Sequence, residues 1–169
     1  MLQGAIIGFG GLGKSHFDGI QKLADMAKIV AVCDVDSSKF EKAVTTNLHK
    51  NAKQADLSGC RLYTNAYDML EKETLDFVII ATPTYLHAEL AVAALDKGIH
   101  VLSEKPMAMN VQQCESMIQA SLRSGKTLMV AQCLRFWPAY EELKRIVDSG
   151  EWGHVVSGMF FRGGDTPKW

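Results

Sequence analysis

The chain has 169 residues, of which 47% are hydrophobic and 22% charged, with a formal net charge of -1. A domain of this length buries roughly 70% of the surface of its unfolded chain, and two complete domains do not fit. The balanced charge disfavours nucleic acid as a partner, and no apolar run approaches the ~18 residues of a membrane span. Since the first residues also lack the pattern of a signal peptide, we expect a cytoplasmic protein.

Short apolar runs alternate with segments of helical period along most of the chain, which predicts an α/β fold with a doubly wound parallel sheet of the Rossmann type. The predicted strands span residues 3–8, 28–34, 61–64, 77–81, 99–103 and 127–132. The runs at 77–80 and 128–130 are continuously apolar, as is typical of strands buried on both faces. We therefore expect these two strands at the centre of the sheet.

Capping residues mark the predicted helices. The residues expected at the four helix starts are Asp36, Thr84, Asn110 and, in the first turn of the last helix, Pro138. Gly98 follows the second of these helices and is expected to adopt the left-handed conformation of a C-terminal cap.

The predicted domains are a Rossmann domain over residues 1–125 and, over residues 126–169, its last strand, a connecting helix and the start of a second α+β domain. A further strand is predicted over residues 154–162. Because no later segment is present to pair with it, we expect that the second domain is truncated. The scattered cysteines form no Cys-x-x-Cys pair, so neither disulfides nor a metal site is predicted.

A glycine-rich turn follows the first predicted strand, where Gly8-Phe9-Gly10-Gly11-Leu12-Gly13 matches G-x-G-x-x-G. Between a strand and a helix, the first glycine permits the tight turn, the second lets the backbone approach a pyrophosphate, and the third allows close packing of helix on strand. The helix N-terminus offers N–H groups to the phosphates. These six residues are therefore predicted to bind a dinucleotide.

The cofactor type is indicated by Asp34, at the end of the second predicted strand and about 20 residues beyond the last glycine. A carboxylate there accepts hydrogen bonds from the ribose hydroxyls of NAD. It would repel the 2′-phosphate of NADP, and Asp36 would add to the repulsion while Lys39 weakens it. The pattern favours NAD over NADP.

A second candidate site, Ser103-Glu104-Lys105-Pro106, follows the fifth predicted strand. Open α/β sheets bind their ligands at this end of a parallel strand. A lysine beside a glutamate is also a common solvated pair, so the position alone leaves catalysis and simple surface exposure both open.

Four segments occur together along the chain. They are the glycine turn followed by His16, Ala-Thr-Pro-Thr-Tyr-Leu-His at 81–87, Gly-Ile-His-Val-Leu-Ser-Glu-Lys-Pro at 98–106, and Leu-Arg-Phe-Trp-Pro at 134–138. In this order they resemble the Gfo/Idh/MocA oxidoreductases. The resemblance implies a two-domain, NAD(P)-dependent dehydrogenase that acts on a secondary alcohol of a sugar, inositol or related polyol, and a homo-oligomeric assembly is expected.

The resemblance implies that Lys105 is catalytic, either as an acid–base or as an ammonium that polarises the substrate oxygen. It also places Glu104 and Lys105 near the nicotinamide, and Thr82 and Pro83 beside its ribose and the pyrophosphate. His87 is predicted to contact the cofactor, with capping or core filling as the alternative. The predicted cofactor residues are thus Gly8, Phe9, Gly10, Gly11, Leu12, Gly13, Asp34, Thr82, Pro83, His87, Glu104 and Lys105.

Two departures from the family pattern affect the expected activity. Cys133 stands where the family often has asparagine, and the Asp-x-x-x-His pair of the second domain lies beyond this chain. We therefore expect NAD(H) binding with little or no dehydrogenase activity. His16 is expected to be a packing residue.

The sequence is also compatible with two other functions. One is a non-catalytic NAD-binding or regulatory module that pairs its last strand with another copy of the chain. The other is a binder of S-adenosylmethionine or another nucleotide, which would leave the Glu104-Lys105 pair without a role.

Overall fold

A computed structural model describes residues 1–41, 54–161 and 163. The chain divides into two compact units, Met1–Ala131 and Gln132–Trp169. The strands described in the first unit are β1 (Leu2–Ile7), β2 (Ala27–Cys33), β3 (Arg61–Tyr63), β4 (Phe77–Ile80), β5 (His100–Ser103) and β6 (Leu128–Val130). Its helices are α1 (Gly11–Gln21), α2 (Ala66–Lys72), α3 (His87–Asp96) and α4 (Val111–Ser124).

The strands pair in parallel in a single sheet, in the order β3-β2-β1-β4-β5-β6. This confirms the predicted Rossmann fold. From β1 the chain moves outward to β3, and from β4 it moves outward in the other direction to β6. The strand order therefore reverses between β1 and β4, and open α/β sheets bind ligands at the carboxyl ends of the strands on either side of such a point.

The sheet is buried on both faces around β1. Ala5 and Ile7 belong to a core cluster that includes Met117 of α4. Ile6 belongs to a second cluster with Phe17 of α1. Because neighbouring side chains of a strand point to opposite faces, both faces need apolar residues. This requirement explains the continuous apolar runs in the sequence.

Most of the predicted helix ends are confirmed. The side chain of Asn110 caps α4 by accepting from Gln113 N, and Gly98 has a φ of +79°. Asp36 caps a short 3₁₀ turn, Ser37–Phe40. Residues 42–53 lie outside the described residues. The prediction that Thr84 caps α3 is wrong. A 3₁₀ turn, Thr84–Leu86, precedes this helix, so its cap position falls on Leu86, which has no capping side chain.

The predicted central position of the strand at 128–130 is also wrong. β4 lies inside the sheet as expected, but β6 lies at its edge and leaves Met129 44% exposed. A continuous apolar run indicates that both faces of a strand are apolar, and it does not determine how many strands lie beside it. β6 belongs to the first unit, since it pairs with β5.

The second unit contains a 3₁₀ turn, Cys133–Phe136, and helix α5 (Pro138–Ser149). Pro138 is the first residue of α5, as predicted. The strand predicted over 154–162 is not formed in residues 154–161, and Arg162 lies outside the described residues. A strand requires a partner for its backbone N–H and C=O groups, and the described part of this unit contains no second strand to provide one.

Candidate functional site

The glycine turn connects β1 to α1 in a geometry that requires glycine. Gly8 has a φ of +91°, and a Cβ added there would lie 2.5 Å from Ala81 O at the end of β4. A Cβ at Gly13 would lie 2.0 Å from Gly8 O, so the helix packs directly on the turn. A Cβ at Gly10 would meet no atom within 4 Å. The turn is therefore closed on the protein side and open at Gly10.

The N-terminus of α1 follows this open position. Gly10 is its N-cap residue and provides no side-chain hydrogen bond, and Gly11 is its first residue. The first N–H groups of a helix have no partner within the helix, and they carry its positive dipole end. Leu12 is 43% exposed, whereas the Phe9 side chain is fully buried against Phe17. Only the backbone of Phe9 can therefore contribute to a binding surface.

Asp34 follows β2 and ties it to the glycine turn. Its Oδ2 accepts from Phe9 N at 2.7 Å, and its Oδ1 accepts from Asp36 N at 2.9 Å. A carboxylate has about four acceptor positions, so each oxygen retains one for a further donor. The sequence indicated Asp34, but not that its carboxylate also holds the turn in place.

A cavity of about 370 Å³ lies beside the turn and Asp34. The ends of β1, β2 and β4 line it together with the first residues of α2 and residues of α3, and Gly8, Gly10, Asp34, Thr82 and Pro83 are among its lining residues. The Thr82 Oγ1 atom is buried and has no hydrogen-bond partner among the described residues. Such a hydroxyl is suited to pair with a polar group of a ligand.

Glu104 and Lys105 follow β5 and are not among the residues that line this cavity. Glu104 is 7% exposed, and its Oε1 accepts from His16 Nε2 at 2.9 Å. Its Oε2 accepts from Lys105 N at 3.1 Å. The hydrogen bond from His16 lowers the pKa of Glu104, burial opposes this, and the bond from Lys105 N lowers it further. Glu104 is therefore an anchored carboxylate, and the Lys105 side chain next to it is exposed.

The sequence predicted His16 only as a packing residue, and its hydrogen bond to Glu104 was missed. It lies on α1, three residues after Gly13, and reaches across 88 positions of the chain to Glu104. The available signal was its position one helical turn after the last glycine, which places it near the carboxyl ends of the strands.

Lys14 is a second residue that the sequence analysis missed. It is 7% exposed, and its Nζ atom lies 5.4 Å from the centroid of the Phe9 ring. Burial lowers the pKa of Lys14, the nearby charge of Lys39 lowers it further, and Asp34 acts in the opposite direction. The charge environment of Asp34 therefore includes Lys14 as well as the backbone donors of Phe9 and Asp36.

His87, the first residue of α3, is 1% exposed. Its Nε2 lies 2.9 Å from Thr82 O and its Nδ1 lies 2.9 Å from Pro106 O. The ring thus lies between the segments that follow β4 and β5. It does not line the cavity beside Asp34.

The described residues contain no cluster of three or more His, Cys, Asp or Glu side chains that could hold a metal ion. None of their helices combines the length and apolar character needed to cross a membrane.

Comparison with known proteins gives matches along most of the chain. A family model described as "Oxidoreductase family, NAD-binding Rossmann fold" matches residues 2–132. Inositol 2-dehydrogenase from Salmonella paratyphi B is 30% identical over 171 aligned residues, which cover 99% of this chain and 48% of that protein. The chain therefore spans about half the length of this relative.

Two solved structures share the fold. Scyllo-inositol dehydrogenase from Lactobacillus casei, with bound NAD(H) and scyllo-inositol, is 26% identical with a TM-score of 0.76, over 89% of this chain and 42% of that one. The WlbA dehydrogenase from Bordetella pertussis, in complex with NADH and UDP-GlcNAcA, is 26% identical with a TM-score of 0.77, over 90% of this chain and 43% of that one.

Proposed function

This chain belongs to the Gfo/Idh/MocA oxidoreductase family. We propose that its first unit binds NAD(H) and that the whole protein is a dehydrogenase acting on a sugar, inositol or related polyol. The observation that carries the proposal is the cavity between the open glycine turn and Asp34. It lies at the point where the strand order reverses.

The described residues fit a dinucleotide. The open face of Gly10 and the N-terminus of α1 would receive the pyrophosphate, since an added side chain would fill only empty space there. Asp34 has acceptor positions left for ribose hydroxyls. The buried Thr82 hydroxyl would gain a partner from the cofactor. Pro83, which lines the same cavity, would pack against it.

The bound nicotinamide would supply the acceptor or donor of a hydride. Lys105 is the residue that we propose as catalytic, because it extends from the carboxyl end of β5 next to an anchored carboxylate. Its ammonium would hold the substrate oxygen and stabilise the charge that develops there. Glu104 would orient the Lys105 backbone through its bond to Lys105 N.

NAD is the proposed cofactor in preference to NADP. The carboxylate of Asp34 would lie close to a 2′-phosphate, and two like charges at such a distance repel. Lys14 reduces this repulsion, since its positive charge interacts with the Asp34 carboxylate, and Lys39 lies close enough to Lys14 to add positive charge to the same region. We therefore expect a preference for NADH and not an absolute exclusion of NADPH.

The substrate class is inferred from the relatives, whose names include inositol 2-dehydrogenase and D-apiose dehydrogenase. By their names, these relatives are dehydrogenases of a polyol and of a sugar. We propose the same class for the whole protein, together with a cytoplasmic location and assembly as a homo-oligomer.

The test is calorimetric titration of the chain with NADH and with NADPH. Asp34→Ala should weaken NADH binding at least about tenfold, because hydrogen bonds to a charged group are lost, and should reduce the preference over NADPH. Asp34→Asn retains an acceptor for Phe9 N and removes the charge, so it should improve NADPH binding relative to NADH.

Asp68→Ala, which removes an exposed carboxylate of α2 that pairs with Lys72, is the matched control and should leave both affinities unchanged. Failure of the unaltered chain to bind either dinucleotide would overturn the proposal.

A further inference from the structure

A histidine buried beside the proposed catalytic segment has no role in the function described so far. His87 is 1% exposed, and both of its ring nitrogens lie 2.9 Å from backbone carbonyl oxygens. One carbonyl belongs to Thr82 after β4, and the other belongs to Pro106 after β5. A single side chain thus connects the two segments that we place at the cofactor.

The chemistry of this contact is directional. A carbonyl oxygen only accepts, so a ring nitrogen must carry a hydrogen to bond with it. A neutral imidazole donates to one carbonyl at a time, and a doubly protonated ring donates to both. At this depth of burial a hydrogen bond from the ring N–H to a carbonyl stabilises the fold, because a buried donor without a partner lowers the free energy of unfolding.

The contact to Pro106 bears directly on Lys105. On the N-terminal side of Lys105, Glu104 N donates to Ile80 O at 2.9 Å, and Lys105 N donates to Glu104 Oε2 at 3.1 Å. On the C-terminal side, the carbonyl of Pro106 lies against His87 Nδ1. The backbone of Lys105 is therefore held from both sides, and His87 is the side chain that holds it from the C-terminal side.

We propose that His87 is a positioning residue for Lys105, acting through a hydrogen bond from its Nδ1–H to the Pro106 carbonyl. This inference rests on the proposed function. It also replaces the expectation of direct contact between His87 and the cofactor, since the buried ring directs both nitrogens to backbone carbonyls. Without the bond, the segment after β5 would lose its fixed position at the nicotinamide end of the site.

The experiment compares two ligands that differ only at that end. ADP-ribose lacks the nicotinamide ring, so the ratio of its Kd to that of NADH isolates the contribution of that ring. A general loss of stability weakens both ligands together and leaves the ratio unchanged. The ratio is measured by titration of the chain and of His87→Phe, His87→Asn and His87→Gln.

His87→Asn and His87→Gln test the contacts to the two carbonyls separately. The amide nitrogen of asparagine takes the place of Nδ1 and can still donate to Pro106 O. The amide nitrogen of glutamine takes the place of Nε2 and can donate only to Thr82 O. His100→Phe is the matched control, because it removes a histidine that accepts from Thr127 N at the opposite end of β5.

We expect His87→Phe and His87→Gln to weaken NADH relative to ADP-ribose about fivefold, the factor for one ordinary hydrogen bond. His87→Asn should restore the ratio, and His100→Phe should not change it. If His87→Phe does not fold, the comparison of asparagine with glutamine decides by itself.

The proposal is overturned if glutamine restores the ratio as well as asparagine does, or if the ratio is unchanged in all His87 variants. Failure of the unaltered chain to bind NADH and ADP-ribose would instead overturn the proposed function, and this inference with it.

Discussion

Two glycines of the same turn should have different roles, Gly13 in packing and Gly10 in dinucleotide binding, and alanine substitution separates these roles. A Cβ at Gly13 would lie 2.0 Å from Gly8 O, whereas a Cβ at Gly10 would meet no atom within 4 Å. We therefore expect Gly13→Ala to destabilise the fold. Gly10→Ala should leave the fold intact and abolish dinucleotide binding, because its methyl group would occupy the surface that the pyrophosphate needs.

The magnitudes follow from the geometry. Real Cβ atoms essentially never come within 3.0 Å of such neighbours. The helix α1 would therefore have to move away from the turn until the distance between the new Cβ and Gly8 O rises from 2.0 Å to at least 3.0 Å. The opposing atom is backbone and cannot rotate away, which places the cost at the upper end of the usual range for overpacking, about 3 kcal/mol. That is a large share of the ~5–15 kcal/mol that stabilises a typical domain. Gly10 has a φ of -73°, which alanine adopts readily.

The assay combines urea denaturation, followed by circular dichroism, with NADH titration. Gly19→Ala is the matched control, since it adds a methyl group in the same helix and also meets no atom within 4 Å. It should stabilise the chain by roughly 0.5–1 kcal/mol, as alanine does in place of a helical glycine, and leave NADH affinity unchanged.

Two results would contradict this prediction. If Gly10→Ala binds NADH as tightly as the unaltered chain, the pyrophosphate does not lie at Gly10. If Gly13→Ala has the same unfolding midpoint as Gly19→Ala, the close packing of α1 on the turn is not present in solution.

Two further predictions concern other parts of the first unit. Asn110→Ala should destabilise the chain by about 1 kcal/mol, because the cap on Gln113 N at 3.0 Å is lost, and an unchanged urea midpoint would contradict this. His16→Ala should raise the pKa of Glu104, since the bond from His16 is the largest cause of its lowering, and a carbon-detected NMR titration of that carboxyl would measure the change. A carboxyl whose pKa is lowered by folding adds stability above its unfolded pKa of ~4.3, and this stability is lost as the pH falls through the folded pKa. The acid-dependent loss should therefore be smaller in His16→Ala, and equal losses in the two proteins would be evidence against the His16–Glu104 bond.

The elements of the Rossmann domain were predictable because each depends on local chemistry. Apolar runs predicted the six strands of the sheet, and the asparagine at position 110 predicted a cap that the structure contains. The glycine spacing predicted a tight turn with close packing, and the structure has both, at Gly8 and Gly13. In each case the local residue pattern and the surrounding fold favour the same conformation.

Positions that depend on neighbours were not predictable in the same way. The run at 128–130 gave no sign that β6 would be an edge strand, since edge and central strands can share the same apolar pattern. Residues 154–161 have the composition of a strand but form none, because pairing requires a partner that composition does not reveal. The 3₁₀ turn before α3 moved its cap position from the polar Thr84 to Leu86.

The contacts that hold the candidate site share a property that explains why sequence patterns did not reveal them. Asp34 binds the backbone N–H of Phe9, and His87 lies against the carbonyls of Thr82 and Pro106. Every residue offers the same backbone groups, so no residue type at the receiving position indicates such a bond. A motif therefore identifies residues suited to contact a ligand. The side chains that hold the backbone of those residues in place become visible only when the strands are brought together, and Lys105 with His87 is the clearest case in this chain.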